Sequence, residues 1–401
     1  MTRAIVDRAS FDRARAGDEQ AFRELTDPYR GELRLHCYRI LGSLTDAEDT
    51  LQETLLAAWR GLPGVTSPGS LRAWLYRIAT TRCLNGLRAA RRRRPPEPVP
   101  PFDPPLPSRR SDTTWLQPYP DILLTDLAET APGPEERYEA KETVQLAFVA
   151  ALQHLPPRQA AALVLRDVLG YTLAEVAAML ETTNTAAKGA LQRARATLDR
   201  HRHTVHEEHP PALAPEHDLS QRFAEALTGD DIDGVVALLT DRAWLAMPPA
   251  PHEYHGAEAI AAFLRASAAW RGGRHLRLVP THANRQPAFG CYITRSGEDT
   301  ADAAGIIVLT LAKGRIRGMT RFLDTGLHPP LRAPRDAIRP GSQLGRVSQS
   351  HAVSCLIEGG TVSLNLARFN DIWGLGEQHA PLWWTGGVGQ AVPSRLRLRR
   401  T

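Results

Sequence analysis

Between positions 46 and 53 the chain carries Asp46, Glu48, Asp49, Gln52 and Glu53. Asp46, Asp49 and Glu53 fall at i, i+3 and i+7, so a helix gathers them on one face. Such a face suits docking of a basic partner helix; it equally fits a solvated surface whose first-turn acids are favoured by the helix dipole. A second set, Arg77, Thr81, Asn85 and Arg88, recurs at i, i+4, i+8 and i+11 and leads into Arg91–Arg94. Arginines hold phosphates, and a short amide such as Asn85 can read a base edge or clasp an unstacked base. Trp74 and Tyr76 could stack on bases. Trp74 falls on an apolar stripe and reads as core, whereas Tyr76 lies off it and stays open. A third set, Lys188, Gln192 and Arg195, recurs at i, i+4 and i+7 with Arg193 beside it.

Each set needs a helix to carry it. Thr45-Asp46-Ala47-Glu48 fits a capping box, predicting a helix from near Asp46 to about Arg60 with Leu51, Leu55, Ala58, Trp59 and Leu62 inward. Ser70 is a good N-cap for a second helix whose stripe is Leu71, Trp74, Leu75 and Ile78. Thr172 and Glu175 make another capping box, for a short helix burying Leu173, Val176, Ala177 and Leu180. The polar turn Glu181–Thr185 follows, then a basic helix with Ala187, Ala190, Leu191, Ala194 and Leu198 inward. Short helix, short turn and basic helix read as a helix-turn-helix, whose second helix meets DNA base edges with its first residues. A helical hairpin with a solvated cationic face is the alternative.

The chain has 401 residues, enough for two to four domains. It is 42% hydrophobic and 23% charged, which excludes wholesale disorder, collagen-like repeats and a membrane bundle. Net charge is +5 with pI ≈ 9.2. The positive charge lies in two separated segments, Arg88 with Arg91–Arg94, and Lys188, Arg193, Arg195, Arg200 and Arg202, as in a protein that grips nucleic acid in two places. The four cysteines, Cys37, Cys83, Cys291 and Cys355, show neither metal-ligand spacing nor a disulfide framework. No secretory leader or membrane span is read, so a cytoplasmic location is expected, with no cofactor and no metal.

Residues 1–94 read as helical. Residues 95–134 are Pro-rich and read as a semi-extended tether unable to build helices or sheets. Residues 135–205 are helical again, and His201–Pro215 reads as a joint. From 217 to about 326, a helical stretch Asp218–Leu239 gives way to the β-type runs Leu276–Pro280, Phe289–Thr294, Gly305–Leu311 and Arg315–Thr320, an α+β pattern. Residues 327–401 show no sustained period and read as a poorly ordered tail or an extension from a shifted reading frame.

The segments Asp46–Leu55 and Leu71–Asn85 closely resemble region 2 of sigma-70 family factors of the extracytoplasmic-function (ECF) type. Leu155–Ala160, Leu163–Gly170 and Ala190–Leu198 look like region 4, in the family's order and spacing. Trp115-Leu-Gln-Pro-Tyr-Pro120 resembles the subgroup with a long linker and an added C-terminal domain. The resemblance implies that Asp46, Glu48, Asp49, Gln52 and Glu53 dock on the β′ clamp helices of core RNA polymerase. It implies that Thr81, Arg82 and Asn85 read the −10 element of promoter DNA while Arg77 and Arg88 hold its backbone. Lys188, Gln192, Arg193 and Arg195 fall on the helix that reads the −35 element, with Thr185, Ala186 and Ala187 at its start. Ala187 and Gly189 are smaller than the family pattern.

Met247–Gly256 followed by Glu258–Leu264 is similar to the SnoaL-like domain appended to some ECF factors. This implies a cone-shaped α+β domain whose cavity Trp244, His252, Tyr254, His255, Trp270 and His282 could line. Asp231 and Asp233 read as capping residues. The fold class expected is thus two all-α domains, a Pro-rich linker and an α+β cone, and the expected role is non-enzymatic, the C-terminal domain gating promoter access. Two alternatives stand beside it: a helix-turn-helix regulator that never touches polymerase, and a SnoaL-like enzyme with a DNA-locating helical half. An anti-sigma protein and a small-molecule ligand remain open as partners.

Overall fold

The computed structural model describes residues 8–65, 67–90, 100–110, 116–124, 143–205, 213–294, 300–323 and 331–332. Arg91–Arg94, Trp115, residues 125–134 and the tail from 333 onward therefore lie outside the described residues. Contacts divide the chain into two units, residues 1–297 with 304–323, and residues 298–303 with 324–401. In the second, Leu331–Arg332 pairs antiparallel with Thr300 and Ala301.

The first block is built from α1 (Arg8–Arg15), α2 (Glu19–Leu41), α3 (Leu44–Gly61) and α4 (Leu71–Ala90). Asp18 caps α2 by accepting from the Ala21 amide, and Gly42 ends it in the left-handed region, φ 71°, returning its N–H to the Tyr38 carbonyl. The N-cap of α3 is Ser43, which accepts from the Asp46 amide at 3.1 Å, so the helix starts earlier than the expected Thr45 box. Ser70 sits in a 3-10 turn, Pro68–Ser70, that runs into α4, and its hydroxyl donates to the Ser67 carbonyl instead of capping. Leu33, Leu51, Leu55, Leu71, Leu75 and Ala79 form the buried interior. His36 of α2 bonds Thr80 of α4 at 2.8 Å within it. Burial, then the nearby Arg39 and Arg72 charges, pulls His36 down to about 3, so it is neutral.

The second helical block comprises α5 (Leu146–Gln153), α6 (Pro157–Leu163) with a π-turn over Val164–Val168, α7 (Leu173–Met179) and α8 (Asn184–Val205). The Thr172–Glu175 capping box forms as the sequence predicts. The joint expected at His201–Pro215 is largely helical where described, because α8 continues to Val205 and α9 (Leu213–Thr228) begins before Pro215. The following α10 (Ile232–Ala237) is capped by Asp231, which accepts from the Gly234 amide at 2.8 Å. Asp233 instead pairs with Arg265 at 2.8 Å.

The third block is a sheet with helices on one face. Its strands are β1 (Arg109–Arg110), β2 (Leu239–Met247), β3 (Ala250–His255), β4 (His275–Ala283), β5 (Gln286–Thr294), β6 (Thr300–Ala312) and β7 (Arg315–Phe322), in the order β1-β3-β2-β7-β6-β5-β4. Helix α11 (Ala257–Arg271) follows β3. Leu245, Phe263, Phe289, Leu309 and Met319 pack with Phe223 and Leu227 of α9 into the core on that face. The β4–β5 hairpin turns at Asn284-Arg285, both with positive φ (56° and 58°), which the right-handed twist of a two-residue hairpin favours. Four of these strands were legible as β-type runs; β1, β2 and β3 were not. Among the described residues no helix is long and apolar enough to cross a membrane. Cys37, Cys83 and Cys291 are free and buried.

The linker is not a loose tether where it is described. Arg109–Arg110 pairs antiparallel with Glu253 and His252 as an edge strand. Pairing is possible there because both residues keep the backbone N–H that the surrounding prolines lack. Tyr254 donates to the Pro105 carbonyl at 2.8 Å, Phe102 packs on Phe263 and Trp270, and Leu116–Pro120 is buried throughout.

Candidate nucleic-acid interface

Helix α3 presents Asp46, Asp49 and Glu53 to solvent. Glu48 departs from the expected set: it is half-buried and pairs with Arg34 at 3.2 Å, and Gln52 is also half-buried. Burial opposes the Arg34 charge, but Tyr119 and Glu48 more than offset it and hold the guanidinium charged. The acidic helix is further steadied from outside its own block. The side-chain oxygen of Gln117 in the linker accepts from the Ser43 hydroxyl and the Thr45 amide, both at 3.1 Å, adding to the cap of α3.

Helix α4 exposes Arg77, Thr81, Arg82, Asn85 and Arg88, the residues expected at a −10 element. Several are engaged: Arg77 pairs with Glu181 at 3.0 Å, Arg82 with Glu53 at 3.8 Å, and Arg88 donates to Asn85 at 3.3 Å. Tyr76 is not available to stack on bases. It is fully buried and donates to Glu32 at 2.9 Å, beside an Arg72–Glu32 contact of 2.6 Å. Burial, then the Glu32 charge, raises its hydroxyl well above the usual range. The ring packs inward although it lies off the apolar stripe, and its hydroxyl reaches the half-buried Glu32 carboxylate. Trp74 is half-buried.

Helix α8 exposes Thr185, Ala186, Lys188, Gln192, Arg193 and Arg195. Ala187 is 1% exposed and belongs to the core, so it cannot meet a base. Arg195 makes two bonds to Asp167, at 2.9 and 2.6 Å. Thr183 caps the helix by accepting from the Ala186 amide at 3.2 Å.

One junction ties the blocks together, and nothing in the sequence pattern marked it. Asn284, at the tip of the β4–β5 hairpin, is fully buried. Its side-chain oxygen accepts from the Tyr119 amide at 2.8 Å, while its side-chain nitrogen donates to the Tyr38 hydroxyl at 2.8 Å and the Val144 carbonyl at 2.7 Å. The backbone amide of Asn284 donates to the Tyr119 carbonyl at 2.8 Å. Next to it, the Gln286 side chain accepts from the Leu146 amide at 3.1 Å, capping α5. The Tyr38 hydroxyl donates onward to the Gln117 carbonyl at 2.8 Å. Arg39, pulled down to about 10 by burial, donates to Thr143 at 3.1 and 2.8 Å. Sheet, linker and both helical blocks thus share one buried hydrogen-bond network.

The six residues expected around a cone cavity do not converge. The helix-covered face of the sheet is filled by its apolar core. Tyr254 is buried, His252 and Trp270 are half-buried, and His282 is exposed opposite Pro287 on β4–β5. Arg274 lies over the Trp270 ring at 4.2 Å. Trp244 and His255 line a cavity that lies against α5 and the linker, and the other four are not among its walls.

Two helical blocks, one acidic face, two basic faces and a cone-type sheet define a class of multidomain sigma-70-type proteins, and comparison with known families agrees. The Sigma-70 region 2 model matches residues 25–93, the Sigma-70 region 4 model matches residues 145–198, and the SnoaL-like domain model matches residues 220–319. ECF RNA polymerase sigma factor SigG of Mycobacterium tuberculosis is 42% identical over 325 residues, covering 80% of this chain and 85% of SigG. SigM of the same organism is 33% identical over 187 residues, 46% of this chain and 79% of SigM. The crystal structure of M. tuberculosis SigJ aligns with TM-score 0.49 at 22% identity, covering 77% of this chain and 96% of that one. The chain belongs to the ECF RNA polymerase sigma factor family.

Proposed function

We propose that this sigma factor joins core RNA polymerase through Asp46, Asp49 and Glu53, which dock on the β′ clamp helices. Residues Thr81, Arg82, Asn85 and Arg88 of α4 meet the −10 element, and Thr185, Ala186, Lys188, Gln192 and Arg193 of α8 meet the −35 element. The observation that carries this reading is the separation of charge in a chain of this family: a solvent-facing acidic helix start, and two exposed basic helix faces on different blocks. Phosphate contacts make promoter binding fall with salt, with a log–log slope of about −0.9 per neutralised phosphate. Opening extrudes a −10 base at a cost of a few kcal/mol of unstacking, offset by contacts around Asn85. The polymerase makes the RNA; this chain selects the start site, and its place of action is the cytoplasm, where that polymerase works.

The SnoaL-like domain (about 217–326) has a modulating rather than enzymatic role in this reading. The Asn284 network supports it, because linker and both helical blocks are held by one hairpin of that domain. Run-off transcription with purified core polymerase on a promoter library tests the whole. Start-site selection is expected with wild-type protein, and the triple reversal D46K/D49K/E53K is expected to weaken core binding roughly a hundredfold, since like charges then face each other across the interface. Wild-type protein that neither joins core enzyme nor selects start sites overturns the proposal.

A further inference from the structure

A half-enclosed cavity of about 710 Å³ lies between the sheet, the linker and α5. The core residues Leu245, Phe263 and Met319 are not among its walls, which include Trp244 and Thr320 and, from the core, only Ala243, Met247 and Ala250. Its volume falls within the ~300–1,000 Å³ of small-molecule sites. Trp244 and Gly318 are paired across β2 and β7, and the indole lies so close that Gly318 has no room for a Cβ. The ring is thus packed against the bare backbone of Gly318 and borders the cavity.

Charge around the ring is uneven. Arg109 is neutralised by Glu253 at 2.8 Å, which also accepts from His255 at 3.0 Å. Arg242 and Arg317 line the same space, and among the described residues neither has a hydrogen-bond or ion-pair partner. Asp241 is the other carboxylate on the rim. Helix α5 contributes alanines, so the opposite wall is apolar. An aromatic floor, an apolar wall and two unpaired guanidiniums match a planar ring that bears an anionic group.

We propose that this cavity binds a planar aromatic anion, a fused-ring carboxylate, sulfonate or phosphate ester, with the ring on Trp244 and the anion on Arg242 and Arg317. The site deepens the modulating role given to the SnoaL-like domain, since α5 leads into the −35-binding block and the linker caps α3. Its existence does not depend on that role.

The test is calorimetric titration of the full-length protein, without polymerase, with 2-naphthoate, 1-naphthyl phosphate and 1-anilinonaphthalene-8-sulfonate, and with uncharged 2-naphthamide as the control. Saturable one-to-one binding of at least one anion is expected, roughly tenfold or more tighter than the amide. R242Q/R317Q is expected to remove that preference, W244L to weaken anion and amide alike, and R277Q, on a strand away from the cavity, to change nothing. Absence of saturable binding by all three anions, or binding that survives R242Q/R317Q, overturns the site. Transcription assays report separately on polymerase recruitment, so failure of either reading leaves the other's result legible.

Discussion

The acidic and basic faces of this molecule are in different states. Asp46 and Asp49 at the start of α3 stand in solvent on a helix whose N-terminus is capped twice, by Ser43 from within and by Gln117 from the linker. On the basic side, Arg77 is paired with Glu181, Arg82 with Glu53 and Arg195 with Asp167. In the proposed reading the polymerase-facing acids are exposed, with Glu53 shared with Arg82, whereas part of the surface proposed to meet DNA is paired with the protein's own carboxylates. Because Arg77 and Glu181 sit on different blocks, a DNA strand bound at α4 as proposed would compete with a contact that joins those blocks. Exposed pairs of this kind are individually weak. The buried Asn284 junction, not the ion pairs, therefore sets how firmly the arrangement is held.

The sharpest way to break the contrast is at that junction. N284A leaves the Tyr119 amide and the Val144 carbonyl without the Asn284 side chain, removes one of the two hydrogen bonds of the Tyr38 hydroxyl, and places alanine at a positive φ. A loss of about 3 kcal/mol or more is expected in urea unfolding, with faster proteolysis between residues 100 and 145. N284G, which accepts the turn but restores no side-chain bond, is expected to recover only the backbone part, about 1 kcal/mol. Equal stability of N284A and wild type would show that the junction does not hold the blocks.

Next in size is a pH effect in the framework that carries both faces. His36 has a folded pKa of about 3 against an ordinary value of 6.5. Between those values the unfolded chain binds a proton that the folded chain does not, so stability is fully present above about 6.5 and falls as pH drops. The slope attributable to His36 is up to about 1.4 kcal/mol per pH unit, and urea titrations from pH 4.5 to 7.5 should show it flattened in H36Q.

Smaller again is Y76F. Removing the hydroxyl leaves Glu32 with Arg72 alone, and a loss of about 1–2 kcal/mol in unfolding is expected, with open-complex formation per folded molecule unchanged. A selective loss of promoter melting would return Tyr76 to the DNA surface. By the same assay N85A is expected to reduce open complex more than core binding, and an unchanged melting signal would remove Asn85 from the interface.

The smallest effect sharpens the comparison. E181Q and D167N each release a guanidinium at the surface, so stability should stay within about 0.5–1 kcal/mol of wild type. Promoter affinity at low salt is expected to rise by roughly twofold to fivefold, and the gain should vanish as salt is raised. No change at low salt would mean that those pairs do not compete with DNA.

Local chemistry explains which readings came through. The Thr172–Glu175 box, the inward rows of α3 and α8 and four of the β-runs follow from short-range spacing, and residues close in sequence settle them. The start of α3 was misplaced by two residues because Ser43 and Thr45 have equivalent capping chemistry, and burial of Ser43 against Gln117 decides between them. Helical spacing already placed Ala187 inward; it and Glu48 entered the site sets through the family resemblance, which carries over positions but not which arc a neighbouring helix covers. The strands β2 and β3 were missed although β2 alternates over Ala243–Met247, because Pro248, Pro249 and Pro251 interrupt the strand signal there and the register shifts between Ala246 and Met247.

Amino-acid order by itself determined the family, the order of its blocks, and the residue types on the acidic and basic helices, since these depend on spacing of a few positions along one helix. Tertiary structure alone decided that the described part of the proline-rich linker is packed instead of loose, that Tyr76 faces inward, and that Asn284 joins parts of the chain far apart in sequence. The physical reason is that a buried amide must find all its partners once water is excluded, and which groups those are depends on the assembled core, not on neighbours in the chain.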